Sequence, residues 1–417
     1  MIMQNKMTNL PQGWEVKKLG EIGEIVTGST PSKSNLDFYG KDYPFFKPSD
    51  FEQGYFLENA GDNLSKLGFD KARQLPPKTI LVVCIGSLGK VALTRVIGSC
   101  NQQINAIIPH KNIISEYIYY YCISSKFQSI LFSKAPQTTL AIFNKTEFSK
   151  LEIIYPKDIK EQERIVGILD ESFAKIDESI KILEQDLLNL DELMQSALQK
   201  AFNPLKDNAK ENYKLPQGWE WKSLGEISNL IQNGFAASKN NEIPSGYVHL
   251  RTHNISTDGN LNFDTLIKIK REFIKEKQSF IEKNDILFNN TNSTELVGKT
   301  ALVTQNYNYA FSNHLTKIKL KNQYNSKLVV FYFVLLLKNK YFEKICHQWI
   351  GQSGINIDKL KKIQIPLPPL KEQEQIAKHL DFVFEKTKAL KELYTKELKD
   401  YEELKQSLLN KAFKGEL

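Results

Sequence analysis

The 417-residue sequence predicts an α+β protein in which two α/β domains alternate with two long helices that pair as an antiparallel coiled coil. Three observations predict this fold class. The chain contains an internal repeat, each copy ends in a long segment with heptad spacing, and short apolar strands precede that segment. We expect the two copies to form an internal pseudo-two-fold repeat.

The internal repeat is the strongest signal in the sequence. The motif LPQGWE at 10–15 recurs at 215–220, an offset of 205. Two later motifs recur at an offset of 211: KEQE, at 160–163 and 371–374, and KAF, at 200–202 and 411–413. The offset grows only before KEQE, so blocks of variable length alternate with segments of fixed length.

Each fixed-length segment is predicted to be one long helix. From about Lys160 to Phe202, apolar residues alternate at spacings of three and four, which is a heptad seam. Such a helix is about 65 Å long and needs a partner along its length. The seam residues are Leu169, Phe173, Ile176, Ile180, Leu183, Leu187 and Leu190 in the first copy, and Leu380, Phe384, Tyr394, Leu398, Tyr401 and Leu408 in the second. The alternative is two unrelated helices, each packed on its own domain.

The second seam is less regular than the first. Lys391 and Lys405 stand at the positions equivalent to Ile180 and Met194. We expect Leu390 and Leu404 to be buried in their place. Four acidic residues of the first helix are predicted to face outward, where they suit a protein partner or are simply solvated: Asp170, Asp177, Glu184 and Asp191.

The variable blocks are predicted to contain strands followed by a closing helix. Apolar runs predict strands at 79–85 and 104–108 in the first block, and at 285–288 and 316–320 in the second. Closing helices are predicted at 115–133 and 326–349.

The charge of +8 is unevenly distributed. Residues 1–150 carry a net +5 and residues 204–360 a net +7, whereas residues 151–203 carry −6. Two basic blocks favour a polyanionic partner. The four cysteines show no CxxC spacing, and the apolar run 328–337 is about half the ~20 residues needed to cross a bilayer. We therefore expect a cytoplasmic protein that has no membrane partner and binds no metal.

Motifs of catalysis are incomplete. Gly298-Lys299-Thr300 is similar to the end of a phosphate-binding loop, but Ser293 stands where that loop needs glycine. His249 and His253 lack the glutamate of a zinc-protease helix motif. We expect a noncatalytic protein with no cofactor of its own. Two basic blocks joined by a paired helical spacer suit the recognition of a double-stranded DNA site that is split into two parts. The two parts of the site should differ, because the two blocks differ in amino-acid sequence.

Several motifs resemble those of the specificity subunit of type I restriction-modification systems. These are LPQGW, ILVVCIGSLGK at 80–90, IPLPPLKEQEQIA at 365–377 and KAFKGEL at 411–417. The resemblance implies target-recognition domains at 1–156 and 207–366, and conserved helical arms at 157–206 and 367–417. It also implies a bipartite DNA site and two adenine methyltransferase (M) subunits docked on the helices. S-adenosylmethionine, ATP and Mg²⁺ would then act in the methyltransferase and the restriction (R) motor-nuclease partners.

Candidate DNA contacts come in pairs across the repeat. The cations pair as Lys33 with Lys239, Lys47 with Arg251, and Lys90 with Lys299. Amide and imidazole groups suited to reading base edges are Asn101, Gln102 and Gln103 in the first block, and Asn313 and His314 in the second. The alternatives are solvated surface cations and hydrogen-bonding groups buried at strand ends. A competing function is a structural adaptor that binds proteins or RNA.

Overall fold

The computed structural model describes residues 10–134, 142–202, 215–274 and 280–417. The chain divides into two units, Met1–Leu183 with Thr395–Leu417, and Glu184–Tyr394. Each unit therefore contains one α/β region and part of both long helices. The boundary predicted between 206 and 207 lies outside the described residues.

The described residues of the first α/β region form ten strands and five short α-helices. Its strands are β1 (Trp14–Lys18), β2 (Gly23–Thr27), β3 (Tyr39–Phe46), β4 (Phe56–Leu57), β5 (Asn63–Leu64), β6 (Ile80–Val83), β7 (Val91–Thr94), β8 (Ser99–Cys100), β9 (Ile104–Pro109) and β10 (Glu152–Pro156). Its helices are α1 (Leu19–Ile22), α2 (Lys66–Lys71), α3 (Ser115–Ile123), α4 (Ser125–Lys134) and α5 (Lys145–Ser149), and the long helix α6 (Ile159–Phe202) follows.

The second α/β region has a similar order of elements. Its strands are β11 (Glu220–Ser223), β12 (Ser228–Asn233), β13 (Glu242–Leu250), β14 (Lys268–Ile269), β15 (Ile286–Asn289), β16 (Thr291–Asn292), β17 (Thr300–Leu302), β18 (Ala310–Phe311), β19 (Leu315–Leu320), β20 (His347–Trp349), β21 (Gln352–Gly354) and β22 (Gln364–Leu367). Its helices are α7 (Leu224–Ile227), α8 (Ser326–Lys338), α9 (Tyr341–Ile345) and α10 (Ile357–Lys361), and the long helix α11 (Leu370–Ala412) ends the repeat.

The main sheets of the two regions correspond. The first region has the order β2-β9-β6-β7-β4 and the second β12-β19-β15-β17. Each region also has a smaller sheet with one parallel pair, β3 with β8 and β13 with β18. A two-stranded ribbon, β1-β10 or β11-β22, leads into each long helix.

The predicted pairing of the two long helices is confirmed, and it is antiparallel. In the first unit, Arg164 of α6 donates to the carbonyl oxygen of Leu417, just beyond α11, and Asp177 pairs with Lys405 at 2.6 Å. In the second unit, Asp191 pairs with Lys391 at 2.5 Å. Every seam residue predicted on both helices is buried or half-buried.

The expected burial of Leu390 and Leu404 is wrong. These leucines are 39% and 44% exposed, whereas the side chains of Lys391 and Lys405 are only 29% and 16% exposed. A lysine can lay its alkyl stem along the apolar seam while its ammonium reaches a charge at the rim. The ammonium of Lys405 also lies 5.7 Å from the ring centre of Phe173.

The four acidic residues of α6 are exposed, as predicted. Asp177 and Asp191 hold the seam lysines, and Asp170 accepts a hydrogen bond from the hydroxyl of Tyr120 at 2.5 Å. Glu184 makes no such contact among the described residues. Three of these exposed acidic residues therefore also make contacts within the fold.

The KAF motifs explain why each unit needs both repeats. Phe413, from the second copy, packs edge-on against Tyr117 and Tyr121 of the first α/β region, with ring centres 5.4 and 5.0 Å apart. Phe202, from the first copy, packs on Tyr332 of the second α/β region at 5.0 Å. The end of each long helix therefore completes the core of the other repeat.

The KEQE motifs attach the start of each long helix to its own α/β region. Gln162 is fully buried, donates to the carbonyl of Pro156 and accepts from the amide of Ile114 at 3.0 Å. Gln373 repeats both bonds, with the carbonyl of Pro368 and the amide of Asn325. The glutamine fixes the direction in which each helix leaves its ribbon.

The two closing helices are each interrupted, which corrects the prediction. The first breaks at Ser124, whose hydroxyl accepts from the amide of Phe127 and so begins α4. The second ends at Lys338, because Lys340 adopts a left-handed conformation with φ of 56°. Residues 347–349, predicted to be helical, instead form strand β20.

No helix within the described ranges is both long and apolar enough to cross a bilayer. All four cysteines are free, and three of them are buried.

Candidate nucleic-acid interface

In the first unit, the predicted contacts gather at one edge of the smaller sheet. Lys47 and Asn101 directly follow the parallel strands β3 and β8, and the amide of Asn101 donates to the carbonyl of Phe46 at 3.1 Å. Parallel strands end at the same edge, so the residues that follow them are neighbours. This edge is called edge 1 below.

Two further loops reach edge 1. Gly28 lies so close to the carbonyl of Asn101 that a Cβ would approach it to 2.1 Å, so only glycine fits. The loop continues through Thr30, whose hydroxyl donates to the side chain of Gln102, toward Lys33. Gln103 donates to the carbonyl of Ile85, in the loop that leads to Lys90.

The second unit builds an equivalent edge, called edge 2 below. Arg251 and Ser312 follow the parallel strands β13 and β18, and the amide of Ser312 donates to the carbonyl of Leu250 at 3.0 Å. A Cβ on Gly234 would approach the carbonyl of Phe311 to 2.0 Å, as at Gly28. Because the backbone bonds correspond, Gln102 and Gln103 align with Asn313 and His314.

The six cations predicted to contact DNA differ in exposure and in ion pairing. Lys33 and Lys239 are exposed and have no ion pair among the described residues. Lys47 pairs with Asp62, and Lys90 pairs with Glu52. The exposed pair of Lys90 is weak, so a phosphate can compete for its ammonium, whereas Lys47 is half-buried. Arg251 and Lys299 need separate description.

Arg251 is three-quarters buried and already bonded. Its guanidinium donates to the carbonyl of Ala237 at 3.1 Å and lies 3.6 Å from a carboxylate oxygen of Glu242. Burial lowers the pKa of Arg251. Burial, and then the charge of Arg251, lower the pKa of His249 to about 4. His249 is therefore neutral at physiological pH and packs with Phe235.

Lys299 is buried rather than displayed. Its ammonium donates to the carbonyl of Thr252 at 3.0 Å, its exposed fraction is 7%, and burial lowers its pKa. Asn101 is equally buried and bonds to Gln103. Their assignment as DNA contacts stays a prediction, and in this conformation both side chains hold the edge loops together.

Sequence reasoning missed two features beside these edges. Arg73 is exposed, and its guanidinium donates to the carbonyl of Thr27, the last residue of β2, beside edge 1. Its partners are 44 and 46 residues away, so no local signal marks it. At edge 2, strand β20 of the hairpin β20–β21 lay within the predicted helix 326–349, although the neighbouring Gly351 is a turn signal. Within the described residues, no cluster of His, Cys, Asp or Glu suits a metal ion.

Comparisons with known proteins agree with this duplicated architecture. The family model described as type I restriction modification DNA specificity domain matches residues 11–187 and again 216–400. The chain is 26% identical to the StySPI specificity subunit of Salmonella potsdam, over 98% of this chain and 90% of that subunit. It is 37% identical to the HindI specificity subunit of Haemophilus influenzae, where the match covers 43% of this chain and only 40% of that relative.

A chain in a solved structure concerned with complex assembly and conformational transition of the type I R-M system has the same fold. The TM-score is 0.80 at 19% identity, and the match covers 98% of this chain and all of the other. Two equivalent edges on a duplicated scaffold, together with the match to two DNA specificity domains, define a DNA-recognition protein. The chain belongs to the family of type I restriction-modification specificity subunits and contains two of its DNA specificity domains.

Proposed function

We propose that this chain recognises a bipartite, asymmetric DNA sequence and positions adenine methyltransferase subunits on it. Edge 1 reads one half of the sequence and edge 2 reads the other. The target-recognition domains correspond to residues 1–156 and 207–366, and the helical arms to 157–206 and 367–417.

The observation that carries the proposal is the equivalence of the two edges. Both are built on the same backbone hydrogen bonds, yet Gln102 and Gln103 on one are replaced by Asn313 and His314 on the other. Amide and imidazole groups read base edges through hydrogen bonds, and different groups prefer different bases. Two halves of different sequence are the expected consequence.

Exposed cations at each edge supply contacts to phosphate. Lys33 and Lys239 are unpaired among the described residues and lie on the loops that approach edge 1 and edge 2. Phosphate contacts give affinity that falls with salt, whereas base contacts give sequence preference. The two properties are therefore separable by mutation.

The outer faces of the long helices suit the methyltransferase partners. In the second unit, α6 exposes Leu188 and Leu193, and α11 exposes Phe382 and Leu393, all by more than half. Apolar side chains at such density on paired helices are typical of a protein interface. Relatives are named as subunits of type I restriction enzymes, which supports methyltransferase partners here and, in the complete system, restriction subunits. S-adenosylmethionine, ATP and Mg²⁺ would act in those partners.

Methylome sequencing of cells that contain this chain and its methyltransferase tests the proposal. We expect one split motif with unlike halves and a methylated adenine in each. Gln102→Ala should relax the motif in one half only, and Asn313→Ala in the other half only. Each should cost about 1–3 kcal/mol of discrimination at the affected base pair.

Salt dependence provides the matched control. Lys33→Ala and Lys239→Ala should weaken binding to all sequences and reduce the slope of log K against log salt by about 1 each. They should leave the motif unchanged. If the purified complex prefers no sequence over random competitor DNA, the adaptor function takes the place of this proposal.

A further inference from the structure

The hairpin β20–β21 presents a bare apolar tip. Its two strands are joined by Ile350 and Gly351 alone, and Gly351 has φ of +84°, which glycine adopts without strain. Ile350 thus occupies the first corner of the turn. Its side chain is fully exposed and touches nothing that would bury it.

The residue before the tip is held rigidly. The indole ring of Trp349 lies across Gly354 on the opposite strand, where a Cβ would come within 2.8 Å of the ring. The imidazole of His347 meets the indole at 76°, with ring centres 4.8 Å apart. Trp349 is nevertheless 53% exposed. The hairpin therefore exposes the indole ring of Trp349 beside the aliphatic side chain of Ile350.

The hairpin borders a polar depression of about 600 Å³ at edge 2. Among the residues that line it are Asn313, His314, Trp349, Gln352 and Asn356. The side chains of Asn313 and Gln352 are exposed and bond to no other described side chain or backbone group. They are free to hydrogen bond with a ligand.

Charge indicates which kind of ligand fits. No carboxylate lines this depression. A second depression of the same unit is lined by the carboxylates of Asp191, Asp258, Asp381 and Glu385 and by four lysines, so charges of both signs occupy it. The neutral, amide-lined depression is compatible with DNA. The apolar tip of the hairpin is compatible with the one apolar group on a base-pair edge, which is the thymine methyl.

We propose that this hairpin enters the major groove and reads an A·T pair in the half-site of the second unit. Ile350 contacts the 5-methyl group of thymine, and the amides of Asn313 and Gln352 face the adenine edge. The major groove is wide enough for a two-stranded β-ribbon, and Asn or Gln pairs with adenine in two hydrogen bonds. The inference rests on the proposed function and names residues that set the specificity of edge 2.

Replacement of thymine by uracil tests it, because uracil lacks only the methyl group. The full chain with its methyltransferase subunits is bound to its methylome-defined site, with uracil placed at each thymine of both halves in turn. One substitution, in one half only, should weaken binding by the wild-type chain roughly 3- to 5-fold, which corresponds to one buried methyl. Ile350→Ala should bind the thymine and uracil duplexes equally.

Leu230→Ala is the matched control, since it removes an exposed aliphatic side chain from the same unit. It should keep the full discrimination of the wild type. The inference is overturned if Ile350→Ala still discriminates, if no uracil position matters while the split motif persists, or if Ile350→Ala instead loses the methyltransferase subunits. A complex with no preferred sequence contradicts the proposed function, which is a separate result.

Discussion

Phe413→Ala should destabilise the first unit, although residue 413 belongs to the second repeat. Phe413 is 5% exposed and packs edge-on against Tyr117 and Tyr121. Truncation of a buried phenylalanine costs about 3–5 kcal/mol, and two edge-to-face contacts place this one in the upper part of that range. For a unit of this size the melting temperature should fall by roughly 10 °C or more.

Hydrogen exchange of the full chain, measured by mass spectrometry, locates the effect. Phe413→Ala should raise exchange in α3, which carries the two tyrosines, and leave α8 unchanged. The equivalent variant Phe202→Ala should do the opposite, because Phe202 packs on Tyr332 of α8. If each variant instead raises hydrogen exchange in the α/β region of its own repeat, the packing of each helix end in the core of the other repeat is refuted.

Other predictions follow from single contacts. His249 has a pKa of about 4 in the folded protein against ~6.5 in the unfolded chain. Its contribution to the free energy of unfolding is therefore complete above pH 6.5 and is lost as the pH falls toward 4, by about 3 kcal/mol at most. In His249→Gln, the urea midpoint should depend less on pH. Lys405→Met should change the free energy of unfolding by under about 1 kcal/mol, whereas Asp177→Ala should cost more, since it leaves the half-buried ammonium of Lys405 with the more distant carboxylate of Glu402 at 3.5 Å; thermal melts compare them. Gln373→Ala should cost about 1–3 kcal/mol in the same assay, because it leaves a backbone amide without its partner. A fragment ending near residue 206 should form a dimer in light scattering and, with its methyltransferase, methylate an inverted repeat; a monomer, or an asymmetric site, would contradict this.

Much of the fold could be predicted because repeats and heptads are local patterns. The seam from Leu169 to Leu190 repeats every seven residues, and so the length and inner face of α6 follow from the sequence. The lysines of α11 show where the pattern misleads. Lys391 and Lys405 interrupt the apolar period, yet their long stems fill the seam while aspartates on the other helix take the charge. Composition alone does not reveal a cross-helix partner.

The break in the second closing helix depends on contacts between distant residues. Residues 326–349 are apolar enough to continue as a helix, but β21 pairs with both β20 and β16. A sheet with β16, about 60 residues earlier, takes the place of the last helical turns. Propensity is a weak prior beside such tertiary pairing.

The sequence predicts which positions of the candidate interface are equivalent in the two repeats. It does not predict whether the side chain at each position is exposed or buried, or what it bonds to. The residues after β3 and β13 align across the repeat, and the structure brings each set to one edge. Whether a lysine is displayed or buried is decided elsewhere. Lys90 meets Glu52, whereas the equivalent Lys299 meets the carbonyl of Thr252, and neither partner is near in sequence.

The fixed length of the helical segments follows from the packing of each helix end in the core of the other repeat. Each long helix is attached at its start by a buried glutamine and at its end by a phenylalanine in the core of the other repeat. The offset of 211 holds for Gln162 with Gln373 and for Phe202 with Phe413, because an inserted residue between the two attachments would turn the seam by about 100° and misplace the end. The recognition edges have no such constraint. Their loops are held by backbone hydrogen bonds, so the side chains that we propose contact DNA can differ between repeats while the scaffold stays the same.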